Sequence, residues 1–431
     1  MMLTASVKAA SAQRESKNEV TTMKLTVQKK YAELITRAGV NIQKGDDVII
    51  MAELDQPRFV ELVVDACYKA GARKVTVEWT HQPLEKLHVR HRSLKTLSTV
   101  EDWEVKRFEH YIDRLPARIW LESSDPDGLN GMNFEKYAKG TQARSKILKP
   151  LRDQMENKYK WCIAAIPGKK WAKKLFPDLR PAAAMEKLWE SILYASRADG
   201  NDPIQAWKDH NVNIKSRCDY LNNLGIESLH YTADNGTDFT VGLIPEALFC
   251  GGSEDTQGKG ETFEPNIPSE EVFTSPMKGK AEGIVYSTKP LSYNGQLIEN
   301  FSVRFEGGKV VEVKAEKNED LLKTMISMDE GAAYLGEVAL VPTSSPINKL
   351  GFLFYNTLFD ENAACHLALG RGFTNTLRDY DKYTFEEQKA KGVNDSIIHE
   401  DFMIGCDTLD IVATTRDGKQ VQIFKNGEWA F

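Results

Sequence analysis

The side chains best suited to chemistry lie in the second half of the chain. Of eight histidines in 431 residues, only His366 and His399 fall beyond residue 230. His399-Glu400-Asp401 precedes the apolar Phe402-Met403-Ile404. On an extended segment, alternation places His399 and Asp401 on one face and Glu400 on the other. An imidazole and a carboxylate so placed can bind one divalent metal. Glu361 and His366 stand five residues apart, which is not a shared helical face. The spacing predicts Asp360 or Asn362 as the cap of an Ala-rich helix, with His366 in its first turns. Glu361 and His366 then converge only if Glu361 is still in the entering loop. Glu337 interrupts the apolar run Tyr334 to Val341. A buried charge is costly unless paired or coordinated, so the expectation is a buried, metal-bound Glu337. Glu270 and Glu271 are adjacent; on an extended chain they face opposite sides, and spacing does not say which enters a pocket.

Each piece also has an ordinary structural reading: a surface His-Asp pair, an acidic first turn beside a core histidine, a solvated edge strand, a charged loop. Taken together they offer three glutamates, an aspartate and two histidines. Such oxygen-rich sets with one or two imidazoles suit a pair of divalent ions such as Zn, Co, Mn or Mg. No His-Glu-x-x-His occurs to support a single-zinc protease, and no Gly-x-Ser-x-Gly to support a serine hydrolase.

Composition narrows the classes. With 56 basic and 62 acidic residues, the net charge of −6 provides no footprint for nucleic acid or an anionic membrane. No apolar stretch reaches the ~18 residues that a membrane span requires. The six cysteines are scattered without a Cys-x-x-Cys pair, which predicts reduced thiols and a cytoplasmic protein. Residues 1–22 are small and polar, have no apolar signal core, and read as a flexible tail.

The elements that must position the site follow from hydrophobic patterning. Val48 to Met51, a helical pattern over Arg58 to Tyr68, and Val75 to Val77 form a strand, helix and strand, hence a βαβ unit and a parallel sheet. Further buried strands are expected at 119–121 and 162–166, and two helices over 184–223 broken near Asp199-Gly200-Asn201. The first βα turn, residues 52–57, has no glycine, so the dinucleotide fingerprint is absent. Beyond about residue 226, strand-like pieces alternate with Asn235-Gly236, Asn294-Gly295, Gly307-Gly308, Asp417-Gly418 and Asn426-Gly427, which are hairpin signals. A helix is expected over 318–328. The predicted organisation is an α/β N-terminal domain with a mainly parallel sheet over 23–228, then an α+β, β-rich C-terminal metal-binding domain over 229–431.

Four blocks in this order, NIPSEEVFTSP (266–276), YLGEVALVP (334–342), GFLFYNTLFDENAACHLALG (351–370) and HEDFMIG (399–405), resemble the thermophilic-aminopeptidase family of two-metal metallo-aminopeptidases. The likeness runs from about Met23 to the end. It implies Glu271, Glu337, Glu361, His366, His399 and Asp401 as metal ligands, favouring Glu271 over its neighbour. It also implies two divalent ions, peptide substrates with a free N-terminus, and a homodimer. Glu337 is the expected bridging ligand, and Glu270 is a candidate proton shuttle. One departure stands out: where the family places a catalytic tyrosine, this chain has Phe373, leaving Tyr355 or Tyr380 to supply a hydroxyl. Two other readings follow. Ring-cleaving dioxygenases that resemble this family use one iron held by two histidines and a carboxylate, here His366, His399 and Asp401. A catalytically weak peptide-binding relative is the reading motivated by Phe373.

Overall fold

The computed structural model of the protein describes residues 25–293 and 295–431. The expected tail over 1–22, and Asn294 of one expected turn, lie outside them. The βαβ pattern forms as expected. Asp47–Glu53 pairs in parallel with Lys74–Thr80 on one side and Ala117–Glu122 on the other. Trp161–Ala165 follows, and the fifth, outermost strand is Asn266–Ile267, supplied by the second half of the sequence. The helix Pro57–Ala70 buries Phe59, Val63 and Ala66, as expected from its spacing, and also Val60 and Cys67, while Leu62 of the expected stripe is half-buried. Pro181–Ala195 and Pro203–Leu224 are the two later helices, the second capped by Asp202, whose Oδ1 accepts the Gln205 N–H at 3.0 Å.

Apart from Asn266–Ile267, the paired strands beyond residue 225 are antiparallel. Nine strands form one sheet, including the hairpin of Gln296–Glu306 with Lys309–Lys317 and that of Asp410–Thr415 with Gln420–Lys425. Gly307 and Gly308 turn the first hairpin at φ +56° and +80°, angles that residues with a Cβ adopt only at a cost. Glu319–Ile326 is the expected helix. A second antiparallel sheet runs in the order Val272–Thr274, Leu335–Leu340, His366–Gly370, His399–Met403, so every block that drew attention in the sequence contributes to one small sheet or its edges.

Two large apolar cores and one small cluster, Ile244 with Leu377 and Val393, result among the described residues. The first lies against the parallel sheet but also takes in Ile347, Phe354, Leu358 and Phe359 from the second half. The buried Trp171 indole donates to the Phe354 carbonyl at 2.5 Å across this seam. The second core fills the space between the antiparallel sheets. Among the described residues, no helix is long and apolar enough to cross a membrane.

Candidate metal centre

The four-stranded sheet brings the acidic and imidazole side chains together. All six residues of Leu335–Leu340 are buried, and the strand has a partner on each side, so Glu337 is not on a solvated edge. The register shifts between Leu335 and Glu337. There Gly336 approaches the neighbouring chain so closely that a Cβ would stand 2.2 Å from the Arg371 carbonyl oxygen. That same carbonyl lies 2.6 Å from His399 Nδ1.

The expected Ala-rich helix does not form. Thr357–Asp360 makes one helical turn and Glu361–Ala363 a 3₁₀ turn; Ala364 is then extended, and His366 opens the strand His366–Gly370. Asp360 caps the preceding loop instead, its carboxylate accepting the N–H groups of Phe354 at 2.7 Å and Asn356 at 3.0 Å. A short, continuously apolar run fits a buried strand as well as a helix, and ladder partners on both sides decide the matter.

Glu271, Glu337 and His366 present one ligand atom each within 4.8 Å of one another, and so do Glu337, His399 and Asp401. Glu337 belongs to both trios. His366 Nε2 lies 3.3 Å from Glu271 Oε2, and His399 Nε2 lies 3.1 Å from Glu337 Oε2 and 3.4 Å from Asp401 Oδ1. Glu361 stands close enough to Asp401 for the two carboxyl groups to influence each other, but it joins neither trio. All six expected ligands therefore meet in one neighbourhood.

Both histidines have their Nδ1 atoms against backbone carbonyls, of Arg371 at 2.6 Å and of Ala364 at 3.2 Å. A carbonyl only accepts, so Nδ1 carries the proton and Nε2 is aimed at the carboxylates, the arrangement usual for a metal-ligating imidazole. His366 Nε2 and Asp401 Oδ1 are buried without an aligned hydrogen-bond partner; their ion-pair contacts supply attraction but not alignment. Orphaned, buried ligand atoms converging in a mixed carboxylate and imidazole set fit divalent-cation binding.

The electrostatics of the metal-free cluster fit the same view. Desolvation, with repulsion from Asp401 and Glu271, pushes the Glu337 carboxyl up to about 7. Desolvation likewise drives Glu361 well above the ordinary carboxylate range, reinforced by Asp401, Glu271 and Glu337. Burial by itself would lower His366, but bonding and attraction from Glu271 carry it up to about 9. Burial would raise Asp401, yet the His399 charge 3.4 Å away holds it down at about 2. Protons here stand in for positive charge.

These residues open into a cavity of about 640 Å³ whose far wall comes from the first half of the chain, including Glu122, Glu156, Tyr159 and Trp161. Sequence reading missed these. The one available signal was Glu122, at the carboxyl end of a central parallel strand, where ligands of such sheets bind. Tyr355 lines the cavity at φ +56°, with Lys174 Nζ 4.5 Å from its ring centroid. The Phe373 ring lies 4.8 Å from the His399 ring. Tyr380 packs elsewhere, against Ile244, Leu377 and Val393. Glu270 is no proton shuttle for this cavity. It faces away into a separate pocket, where both Arg197 Nη atoms hold its carboxylate, Nη2 at 2.9 Å.

Comparison with known proteins agrees with the geometry. The family model described as thermophilic metalloprotease (M29) matches residues 26–429. Aminopeptidase AmpS of Bacillus subtilis is 42% identical over 402 residues, covering 93% of this chain and 98% of that protein. Aminopeptidase T of Thermus thermophilus is 37% identical over 401 residues, covering 93% and 97%. The solved structure of wild-type AmpT from Thermus thermophilus superposes with a TM-score of 0.85 at 35% identity, covering 94% of this chain and 99% of that one. With one match spanning nearly the whole described chain and relatives well above 30% identity, the chain belongs to the thermophilic metalloprotease family M29.

Proposed function

We propose that the protein is a metallo-aminopeptidase that removes N-terminal residues from peptides with a free amino terminus, using two divalent ions (Zn, Co, Mn or Mg). The observation that carries this reading is the pair of ligand trios sharing Glu337. Glu271 and His366 would hold one ion and His399 and Asp401 the other, with Glu337 between them and Glu361 completing the set. Charge balance supports two ions. Four carboxylates with neutral imidazoles bring −4, which a single divalent ion would leave half compensated inside a buried site. Bound divalent ions at such a centre polarise a carbonyl and lower the pKa of water, giving hydrolysis near neutral pH.

The chain's own residues supply the rest. The two Nδ1-to-carbonyl bonds fix the imidazole planes. Tyr355 is the hydroxyl donor we assign to the oxyanion formed at the scissile carbonyl, in place of the family tyrosine that Phe373 lacks. Glu122 and Trp161, on the opposite wall, confine the substrate and limit water. The iron-dioxygenase reading needs His366, His399 and Asp401 around one ion. It draws less support, because the two histidines fall in different trios. A cytoplasmic location, supported by six unpaired thiols, and a homodimer belong to the same reading.

Native mass spectrometry of the metal-titrated protein, with turnover of Leu-, Arg- and Phe-p-nitroanilide, tests the proposal. Two ions and release of p-nitroaniline are expected. A fully metallated protein inert on all three substrates would overturn it.

A further inference from the structure

A single amide spans the two halves of the centre. Asn362 is fully buried, and its Oδ1 accepts the Glu270 backbone N–H at 2.7 Å. A backbone N–H only donates, so the oxygen of the amide must face it and the NH₂ must point the other way. That NH₂ donates to the Leu358 carbonyl at 2.9 Å and to Glu361 Oε1 at 3.4 Å. The Asn362 carbonyl in turn accepts from Ser345 Oγ at 2.7 Å. Glu270 is immediately followed by Glu271, of the His366 trio, whereas Glu361 stands beside Asp401, of the other trio. Arg197 grips the Glu270 side chain from behind, so Asn362 works against a fixed peptide rather than a free loop.

We propose that Asn362 is a positioning residue that fixes Glu271 against Glu361, and so sets the match between the two ion sites. The inference rests on the two-ion reading above. Asn362 touches neither substrate nor ion; it acts through the backbone of one ligand-bearing loop and the carboxylate of another. Loss of the amide leaves a buried N–H without an acceptor and lets Glu361 rotate. Removing a hydrogen-bond partner that orients a metal ligand weakens metal affinity by about 10–100-fold. The effect should fall on the second ion to bind, whose site requires both loops in register.

The test uses the full-length, metal-stripped protein, titrated with Co²⁺ in competition with a chromogenic chelator and followed by its visible spectrum, a readout independent of turnover. Wild type is expected to fill two sites. Asn362→Leu should keep the first within about threefold and lose about 10–100-fold at the second. Ser345→Ala, which removes a buried bond to the same residue without touching Glu270 or Glu361, should leave both affinities unchanged. If the leucine variant fails to fold, Asn362→Asp keeps an acceptor for the Glu270 N–H and replaces the NH₂ that donates to the Leu358 carbonyl and to Glu361 by a carboxylate oxygen; the same loss at the second site is expected. Wild-type affinity at both sites in a folded Asn362 variant would overturn the inference alone. A wild-type protein that binds fewer than two ions would overturn the two-ion reading and the inference with it.

Discussion

Replacing Tyr355 by phenylalanine removes one hydroxyl and leaves its setting intact. The residue sits at φ +56°, an uncommon angle for a bulky side chain, and Asp360 holds the turn by accepting from Phe354 at 2.7 Å and Asn356 at 3.0 Å. The cation over the ring, Lys174 Nζ at 4.5 Å, is equally served by a phenyl face. Folding stability should therefore stay within about 0.5 kcal/mol of wild type. The rate should not. Loss of one oxyanion donor costs about 2.7–4 kcal/mol, or about 10²–10³ in kcat. Because the donor acts on charge that develops in the transition state, KM should scarcely move. Steady-state kinetics on Leu-p-nitroanilide, with metal content measured on the same samples, checks this. A kcat within about threefold of wild type would refute the assignment. Phe373→Tyr in the wild-type background sharpens the test, since that ring already lies 4.8 Å from the His399 ring. Little gain is expected if Tyr355 provides the donor. A gain of tenfold or more would mean that the protein lacks an efficient donor, which favours the weak-enzyme reading.

Glu337→Gln should weaken both ions, because the side chain belongs to both trios, whereas His366→Ala should weaken chiefly one; equal loss of both ions in the histidine variant would contradict the shared-ligand arrangement. Gly336→Ala would set a Cβ 2.2 Å from the Arg371 carbonyl that orients His399, so a loss of about 3 kcal/mol in stability is expected together with weaker metal binding, and an unperturbed melt would count against that close approach. In the chelator-treated protein His366 is raised from 6.5 to about 9, so its imidazolium contributes stability below pH 6.5 that is lost as pH rises through 9. Glu337, raised from 4.5 to about 7, likewise makes the fold less stable as its proton leaves over that interval. Calorimetry of the metal-free protein should therefore show Tm falling from pH 6 to pH 9, and the stabilisation conferred by added metal growing over the same span; a rising metal-free Tm would refute it.

The elements most legible in the sequence were those whose pattern has one reading. The βαβ unit announced itself through a helical stripe between two β-branched runs, and the hairpins through glycine dipeptides. Alternation placed His399 and Asp401 on one face and sent Glu270 and Glu271 to opposite sides, as found. Glu337 was readable because a lone carboxylate in an apolar run demands compensation. His366 was misplaced on a helix, because His366–Gly370 is too short and too uniformly apolar for period to discriminate, and its two neighbouring strands lie about 30 residues away on either side. Asn266–Ile267 joining the parallel sheet, and Glu122 and Trp161 walling the cavity, are tertiary facts with no local signature. Asn362 looked like a helix cap, since a buried amide bonded to a peptide 92 residues away reads in sequence like any turn asparagine.

What holds this centre in shape differs in kind from what balances its charge. The orienting contacts run to backbone groups: His399 to the Arg371 carbonyl, His366 to the Ala364 carbonyl, Asn362 to the Glu270 N–H, and Asp360 to the N–H groups flanking Tyr355. Backbone groups neither titrate near neutrality nor depend on a bound ion. The charge balance, by contrast, rests on protons held by His366, Glu337 and Glu361 when no cation is present. Metal binding must displace those protons, and so exchanges one source of positive charge for another within a cavity already formed. A zinc finger collapses without its ion because the ion is its core. Here two apolar cores flank the site and do not include it. Metal removal should therefore abolish activity while leaving circular dichroism near native and lowering stability most at high pH, where neither protons nor ions remain to offset the carboxylates.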